Sequence, residues 1–181
     1  MHQGQIVEIP ENASIYERLD QMKFDSKADE LEELAKKFQY TLYDGILLDG
    51  HFGIEQFELC QRKGVTKGGH PKPLYVISID QEAKRVFVGA GKNHPGLFTK
   101  VVLLDNSQLT WNINNSKIEF PISCEIQLAT EEKNEKLKAI LYQFDEKMYL
   151  EFQHKVKCFY RNKDLLIFQN ENVLATYLIH N

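Results

Sequence analysis

The 181-residue chain carries 22 Lys and Arg against 26 Asp and Glu, a formal net charge of −4, with 43% hydrophobic and 27% charged residues. This is the balance of an ordinary globular protein of one domain or two small ones, and it excludes a low-complexity or collagen-like chain. No apolar run approaches the ~20 residues that span a bilayer and no hydrophobic leader is read at the N-terminus, so no membrane partner and a cytoplasmic address are expected. Cys60, Cys124 and Cys158 are an odd, widely spaced trio without a C-x-x-C, which indicates buried free thiols rather than a disulfide scaffold or a zinc knuckle.

In chain order, GQIVEI (residues 4–9) alternates polar and apolar residues and stops at Pro10, the pattern of a short strand. Residues 10–25 are a short helix or an irregular insert. From Asp25 the period becomes helical. Ser26 is placed to cap, Asp29 follows three residues later, and Ala28, Leu31, Leu34, Ala35 and Phe38 share a face. Glu32 and Glu33 precede Lys36 and Lys37 by four residues, which reads as a solvated face of helical ion pairs. After Phe38 the period is two: YTLYDGILLDG reads as two strands around Asp44-Gly45, Asp49-Gly50 as a second turn, and HFGIEQFEL as more strand. CQRKGVTKGGHPKP (residues 60–73) holds three glycines, two prolines and no acid, the composition of a linker between subdomains. Every later segment reads as β: PLYVISID and KRVFVGAG around a turn at 80–83, then KVVLLD, LTWNI, IEFPISCEIQL, KAILYQF, KMYLEFQ, KDLLIFQ and VLATYLI. Many short strands with polar turns between them point to a barrel or sandwich.

Charge is unevenly placed. Between Gln61 and Leu104 stand eight Lys/Arg against Asp80 and Glu82, a local +6 in a chain whose remainder sums to −10. A weakly acidic protein that gathers its cations into one segment presents them to something anionic. Arg62, Lys63, Lys67, His70 and Lys72 would contact phosphates from a glycine-containing loop, Arg by its planar fork and Lys as a mobile point charge. The alternative is a solvated tether with Arg62 in a structural ion pair. His94, in the turn Asn93-His94-Pro95-Gly96, either contacts an RNA or bonds nearby backbone. His51 has the chemistry of a general base, but no Ser, Cys or carboxylate stands with it at recognisable spacing. The six histidines form no HxH or HxxxH pair, so neither a metal nor a cofactor is expected. Phe52, Phe57, Tyr75, Phe87 and Phe98 interleave the basic segment as base-stacking platforms do, although in alternating strands such residues are more often core.

The order and spacing of Gly50, His51 and Gly53, then QRKG (61–64), Gly68-Gly69, PLYVI, VFVG and NHPGLF resemble the C-terminal half of the tRNA-specific 2-thiouridylases, the MnmA/TrmU family. The match is good over about residues 39–112 and fainter through YQFDEKMYLEF, and GQIVEI fits the start of the family's central domain. The resemblance implies a mainly β protein: a small β-rich central domain at 1–70 with a helical insert at about 26–38, then a six-stranded translation-factor-like β-barrel at 71–181. It also implies that these parts hold tRNA while a separate PP-loop domain binds ATP, adenylates the wobble uridine at C2 and delivers sulfur through two cysteines. This sequence departs from the pattern at several points. It holds no SGGxDS-type loop, and the family's two cysteines would lie upstream of Met1. Cys60 stands where the family usually has a glycine. The family's basic R-x-R-Y-R-Q segment is replaced by EIQLATEEKNEK, and a Gly-Gly before the last strand by Ala175-Thr176.

The resemblance and the charge pattern together nominate Gln61, Arg62, Lys63, Lys67, His70, Lys72, Lys92, His94 and Lys100 as RNA-binding residues, with no catalytic residue. The expected function is a non-catalytic tRNA-binding module that acts with a separate PP-loop sulfurtransferase. The alternative is a protein-binding barrel that has lost RNA contact.

Overall fold

The computed structural model describes residues 3–62, 70–112, 118–129 and 136–179, with the side chains of residues 19 and 20 excepted. Lys63 and Lys67 therefore lie outside the described residues. The chain divides into two compact units, one of residues 1–23 and 37–98, the other of residues 24–36 and 99–181.

The first unit is built on a four-stranded sheet of β1 (Gly4–Ile9), β2 (Ile46–His51), β3 (Leu74–Asp80) and β4 (Arg85–Ala90), in the order β2-β1-β4-β3. β1 runs antiparallel to β2 and parallel to β4, and β3 and β4 form the hairpin expected around residues 80–83. Successive side chains of a strand face opposite sides. Ile6, Val86 and Val88 accordingly join Phe57, Leu74 and Val76 on one face, while Val7, Ile9 and Phe87 join Tyr16, Tyr40, Ile77 and Leu97 on the other. Both faces are covered, so β4 buries four consecutive residues, Val86 to Gly89. Helix α1 (Ser14–Gln21) decides between the two readings of residues 10–25, and its Tyr16 hydroxyl lies 2.9 Å from that of Tyr40.

The second unit is a seven-stranded sheet of β5 (Phe98–Leu104), β6 (Leu109–Trp111), β7 (Ile122–Leu128), β8 (Leu137–Phe144), β9 (Lys147–Lys157), β10 (Leu165–Gln169) and β11 (Asn172–Tyr177). Its order is β5-β9-β8-β7-β10-β11-β6. Alternate residues of β7, β8 and β10, from Ile122 to Ile126, Leu141 and Ile167, meet in one core with Leu150, Phe152 and Leu174. Helix α2 (Lys27–Ala35) belongs to this unit. Its Ser26 cap accepts the Asp29 N–H at 3.1 Å, and Leu31, fully buried, packs on Val101 and Tyr149.

The mainly β architecture expected from the sequence is present, with differences that have physical causes. The expected boundary at residue 70 falls between β1 and β4, whereas the ladder joins these two strands and the first unit runs through residue 98. Of the expected insert at 26–38, residues 26–36 belong with the later sheet while Phe38 packs in the first unit, and among the described residues that sheet has seven strands rather than six. Residues 42–44 are a 3-10 turn closed by reciprocal Thr41 and Asp44 bonds rather than a strand. Residues 52–60 are turns, pinned by the Phe57 N–H bond to the Ile54 carbonyl and by insertion of the Phe57 ring into the core. The charged face of α2 is only partly solvated, because Lys27 reaches Glu151 at 2.9 Å and Glu32 reaches Lys147 at 3.1 Å.

Candidate nucleic-acid interface

The basic loop of the first unit has both of its ends fastened to the sheet. At the near end the Cys60 N–H donates to the Val76 carbonyl at 2.9 Å, and the Val76 N–H donates to Gln61 at 3.0 Å. The Gln61 side chain accepts the Glu58 N–H at 2.7 Å. Gln61 is thus an anchor for the loop, and the exposed Arg62 follows it directly. At the far end His70 Nε2 lies 3.1 and 3.2 Å from the two Glu8 oxygens, and its Nδ1 lies 2.6 Å from the Lys72 carbonyl oxygen. Lys72 Nζ is 3.6 Å from Glu11, and the Pro73 carbonyl accepts the Gly91 N–H at 2.8 Å. Lys92 is exposed on the turn after β4.

These contacts sort the nominated residues. Arg62 and Lys92 are exposed, and His70 and Lys72 lie beside Glu8 and Glu11. Glu8 lies in β1 and Glu11 just after it, some sixty residues away in sequence. No local signal marks them as partners of the loop; only the fold brings them there. Lys100 stands in the other unit, 3.8 Å from Glu151.

His94 is a correction to the nominated set, being 1% exposed. Its Nε2–H donates to the Ile9 carbonyl at 2.9 Å, and its Nδ1 accepts the Gly96 N–H at 3.2 Å. Both ring nitrogens are engaged by backbone, which fixes the neutral tautomer, and burial holds its pKa below the usual imidazole value. A Cβ at Gly89 would stand 2.4 Å from this ring, so the site needs glycine there for close approach. This is the backbone-bonded alternative, and it leaves His94 no surface for RNA. His51 is likewise enclosed, at 3% exposure, with Nε2 3.1 Å from the Lys84 carbonyl and the ring edge-on to Phe57. Phe57 and Phe87 are core and Phe52 is 66% exposed. Among the described residues no group of three His, Cys, Asp or Glu is arranged to hold a metal, and no helix is long and apolar enough to cross a membrane.

No family model matches the sequence. Individual relatives do, over nearly its whole length. A tRNA-specific 2-thiouridylase MnmA of Christiangramia forsetii is 30% identical over 177 residues, which is 98% of this chain and 45% of the relative. The MnmA of Karelsulcia muelleri is 31% identical over 176 residues, 97% of this chain and 43% of the relative. The chain resembles the C-terminal half of a tRNA-specific 2-thiouridylase. A third MnmA, from Flavobacterium johnsoniae, is 32% identical over 150 residues, 83% of this chain and 38% of the relative. The chain thus spans less than half the length of the MnmA proteins it matches. Against the MnmA pattern, the residue that replaces glycine before QRKG has a clear backbone signature. Cys60 sits at φ 64°, the left-handed region that glycine enters without strain.

Proposed function

We propose that this chain contacts tRNA through the basic segment of its first unit and supplies binding rather than chemistry to wobble-uridine thiolation. The observation that carries this reading is the 98% coverage of the chain by a protein named as a tRNA-specific thiouridylase. The exposed Arg62 and Lys92, at the loop and the neighbouring turn, lend it support. Cations there neutralise phosphates and release condensed counterions, a contribution that needs no base-specific contact. Lys63 and Lys67 add charge to the same loop, and His70 and Lys72 join when an RNA phosphate competes with Glu8 and Glu11. Lys100 extends the set on the second unit.

Two of the three cysteines, Cys124 and Cys158, are poorly suited to carry sulfur. Cys124 and Cys158 are buried, and burial pushes the Cys124 thiol up to about 12, which suppresses the reactive thiolate at neutral pH. In this reading the ATP site and the sulfur-carrying thiols belong to the part of a thiouridylase outside the matched region, a PP-loop domain in the same polypeptide or in a separate one. The alternative of a protein-binding barrel gains little support, because only Leu103 (47%) and Leu178 (39%) among the described large apolar residues of the second unit are exposed.

Fluorescence anisotropy of labelled bulk tRNA with the full chain tests the proposal. Wild type binds at low salt, and Arg62→Ala combined with Lys92→Ala weakens binding by roughly tenfold. Absence of binding at low salt, where the electrostatic attraction is greatest, contradicts it.

A further inference from the structure

The solvent face of β7, β8 and β9 in the second unit holds a groove of about 750 Å3. Cys124, Ala139 and Phe152 of these strands belong to the core. Their neighbours Ser123, Glu125, Lys138, Ile140, Glu151 and Gln153 therefore project the other way, and they line the groove together with Lys100 of β5. The ladders set them in rows: Ser123 opposite Ile140 and Ile140 opposite Glu151, with Glu125 opposite Lys138 beside them. Ile140 is thus an apolar floor among polar side chains. A hollow of this size, with an apolar floor and a few convergent polar groups, has the dimensions of a small-molecule site.

Charge pairing within the groove leaves a definite remainder. The Glu151 carboxylate is occupied on both oxygens, with Lys27 2.9 Å from one and Lys100 3.8 Å from the other. Glu125 lies 3.6 Å from Lys136, whose ammonium is drawn 3.9 Å over the Phe168 ring. Lys138 is exposed and has no ion-pair partner among the described residues. Lys138 and the loosely held Lys100 are therefore the cations open to an incoming anion. Gln153, on the strand between theirs, adds an amide donor. Across Ile140, on β7, the chemistry changes: Glu125 accepts hydrogen bonds, and Ser123 donates or accepts them. Glu171, in the turn between β10 and β11, is the one further acid that lines the groove among the described residues.

We propose that this groove binds a nucleotide, with the phosphate between Lys100 and Lys138 and the base across Ile140 against Glu125 and Ser123. A phosphate matches two ammonium groups and an amide donor. The Glu125 carboxylate accepts from the exocyclic amino group of cytosine or adenine. Uracil flanks its N–H with carbonyl oxygens, which the same carboxylate repels. An amino acid would bring its ammonium among lysines and fill little of the groove, and inorganic phosphate would leave Ile140 and Glu125 unused. A free mononucleotide and a nucleotide of an RNA chain carry the same groups.

Calorimetry of the full chain with CMP, AMP, UMP and inorganic phosphate is the test. CMP and AMP saturate one site, at least about tenfold tighter than inorganic phosphate and severalfold tighter than UMP. Lys138→Ala weakens CMP binding at least about tenfold, because a charge-assisted bond is lost, and Glu125→Gln abolishes the preference for CMP over UMP. Both side chains stand on the solvent face, and circular dichroism checks that the variants keep the fold. Absence of saturable CMP and AMP binding overturns the proposal. So does binding no tighter than that of inorganic phosphate, binding indifferent to Lys138→Ala, or a CMP preference that survives Glu125→Gln. Titration of tRNA against bound CMP separates the two sources: displacement assigns the site to a nucleotide of the RNA chain, and retention assigns it to a free mononucleotide. The anisotropy titration reads tRNA binding separately, so a failure of the RNA reading leaves the CMP measurement intact.

Discussion

Burial governs His94. Desolvation keeps its pKa below 6.5, opposed in part by the bond to the Ile9 carbonyl, so the folded chain binds the proton less readily than the unfolded one. A group shifted in this direction contributes stability above its unfolded pKa, and the contribution is lost as pH falls through the folded value. Chemical denaturation should therefore show the first unit losing stability between pH 7 and pH 5, with a shallower dependence in His94→Gln. Gly89→Ala, which drives a Cβ against the same ring, should cost about 1–3 kcal/mol by overpacking. Cys60 makes the opposite case. Its φ of 64° costs an L residue about 1–2 kcal/mol, so Cys60→Gly should raise stability by about 0.5–1 kcal/mol once the greater chain entropy of glycine is subtracted. A lower denaturation midpoint would show that the thiol contributes packing that outweighs the backbone. The sequence offered both readings of His94, and only its enclosure beneath Ile9 and Gly96 chooses between them. A turn histidine that bonds backbone and one that bonds phosphate look alike in sequence.

Among the elements, α2 was the most legible, because its cap, its apolar period and its charge spacing agree. What it packs against was not legible. Its C-terminal carbonyls are held by Arg161, which donates to Ala35 at 2.7 Å, Leu34 at 3.3 Å and the Thr99 hydroxyl at 2.6 Å. A cation at this end of a helix satisfies orphan carbonyls and complements the dipole. Arg161→Met should cost the second unit about 2–3 kcal/mol in denaturant, since hydrogen bonds to a charged donor are each worth about 1.5–3 kcal/mol and partial solvation recovers some of that. Leu31→Ala should cost about 2–5 kcal/mol at the same helix, being fully buried between Val101 and Tyr149. Unchanged unfolding of both variants would mean that α2 contributes nothing to that unit. The strands were legible by alternation, but the placement of β3 and β4 was not. The parallel pairing of β1 with β4 joins residues about eighty positions apart, and no local pattern reports such a contact. Residues 52–60 misled for a different reason: their alternation comes from Phe57 and Leu59 anchoring a turn, not from a strand.

For the whole molecule, the segment charge of +6 identified the loop that Arg62 belongs to but not the carboxylates that face it. Glu8 and Glu11 come from the first strand and the turn after it, and they stand against His70 and Lys72, while Arg62 and Lys92 are exposed. Removing those carboxylates should therefore strengthen binding of a polyanion. Glu8→Gln with Glu11→Gln is expected to raise tRNA affinity severalfold at low salt, and weaker binding would mean that the carboxylates hold the loop in its competent form. The central claim is electrostatic contact between this loop and tRNA, and the salt dependence of binding tests it most directly. Each phosphate contact contributes nearly one to the slope of log K against log salt concentration. Anisotropy titrations of wild type and of Arg62→Ala/Lys63→Ala across a salt series should give micromolar binding for the wild type. The variant's slope should be shallower by about one to two. No wild-type binding at the lowest salt, or equal slopes for the two proteins, would contradict the account.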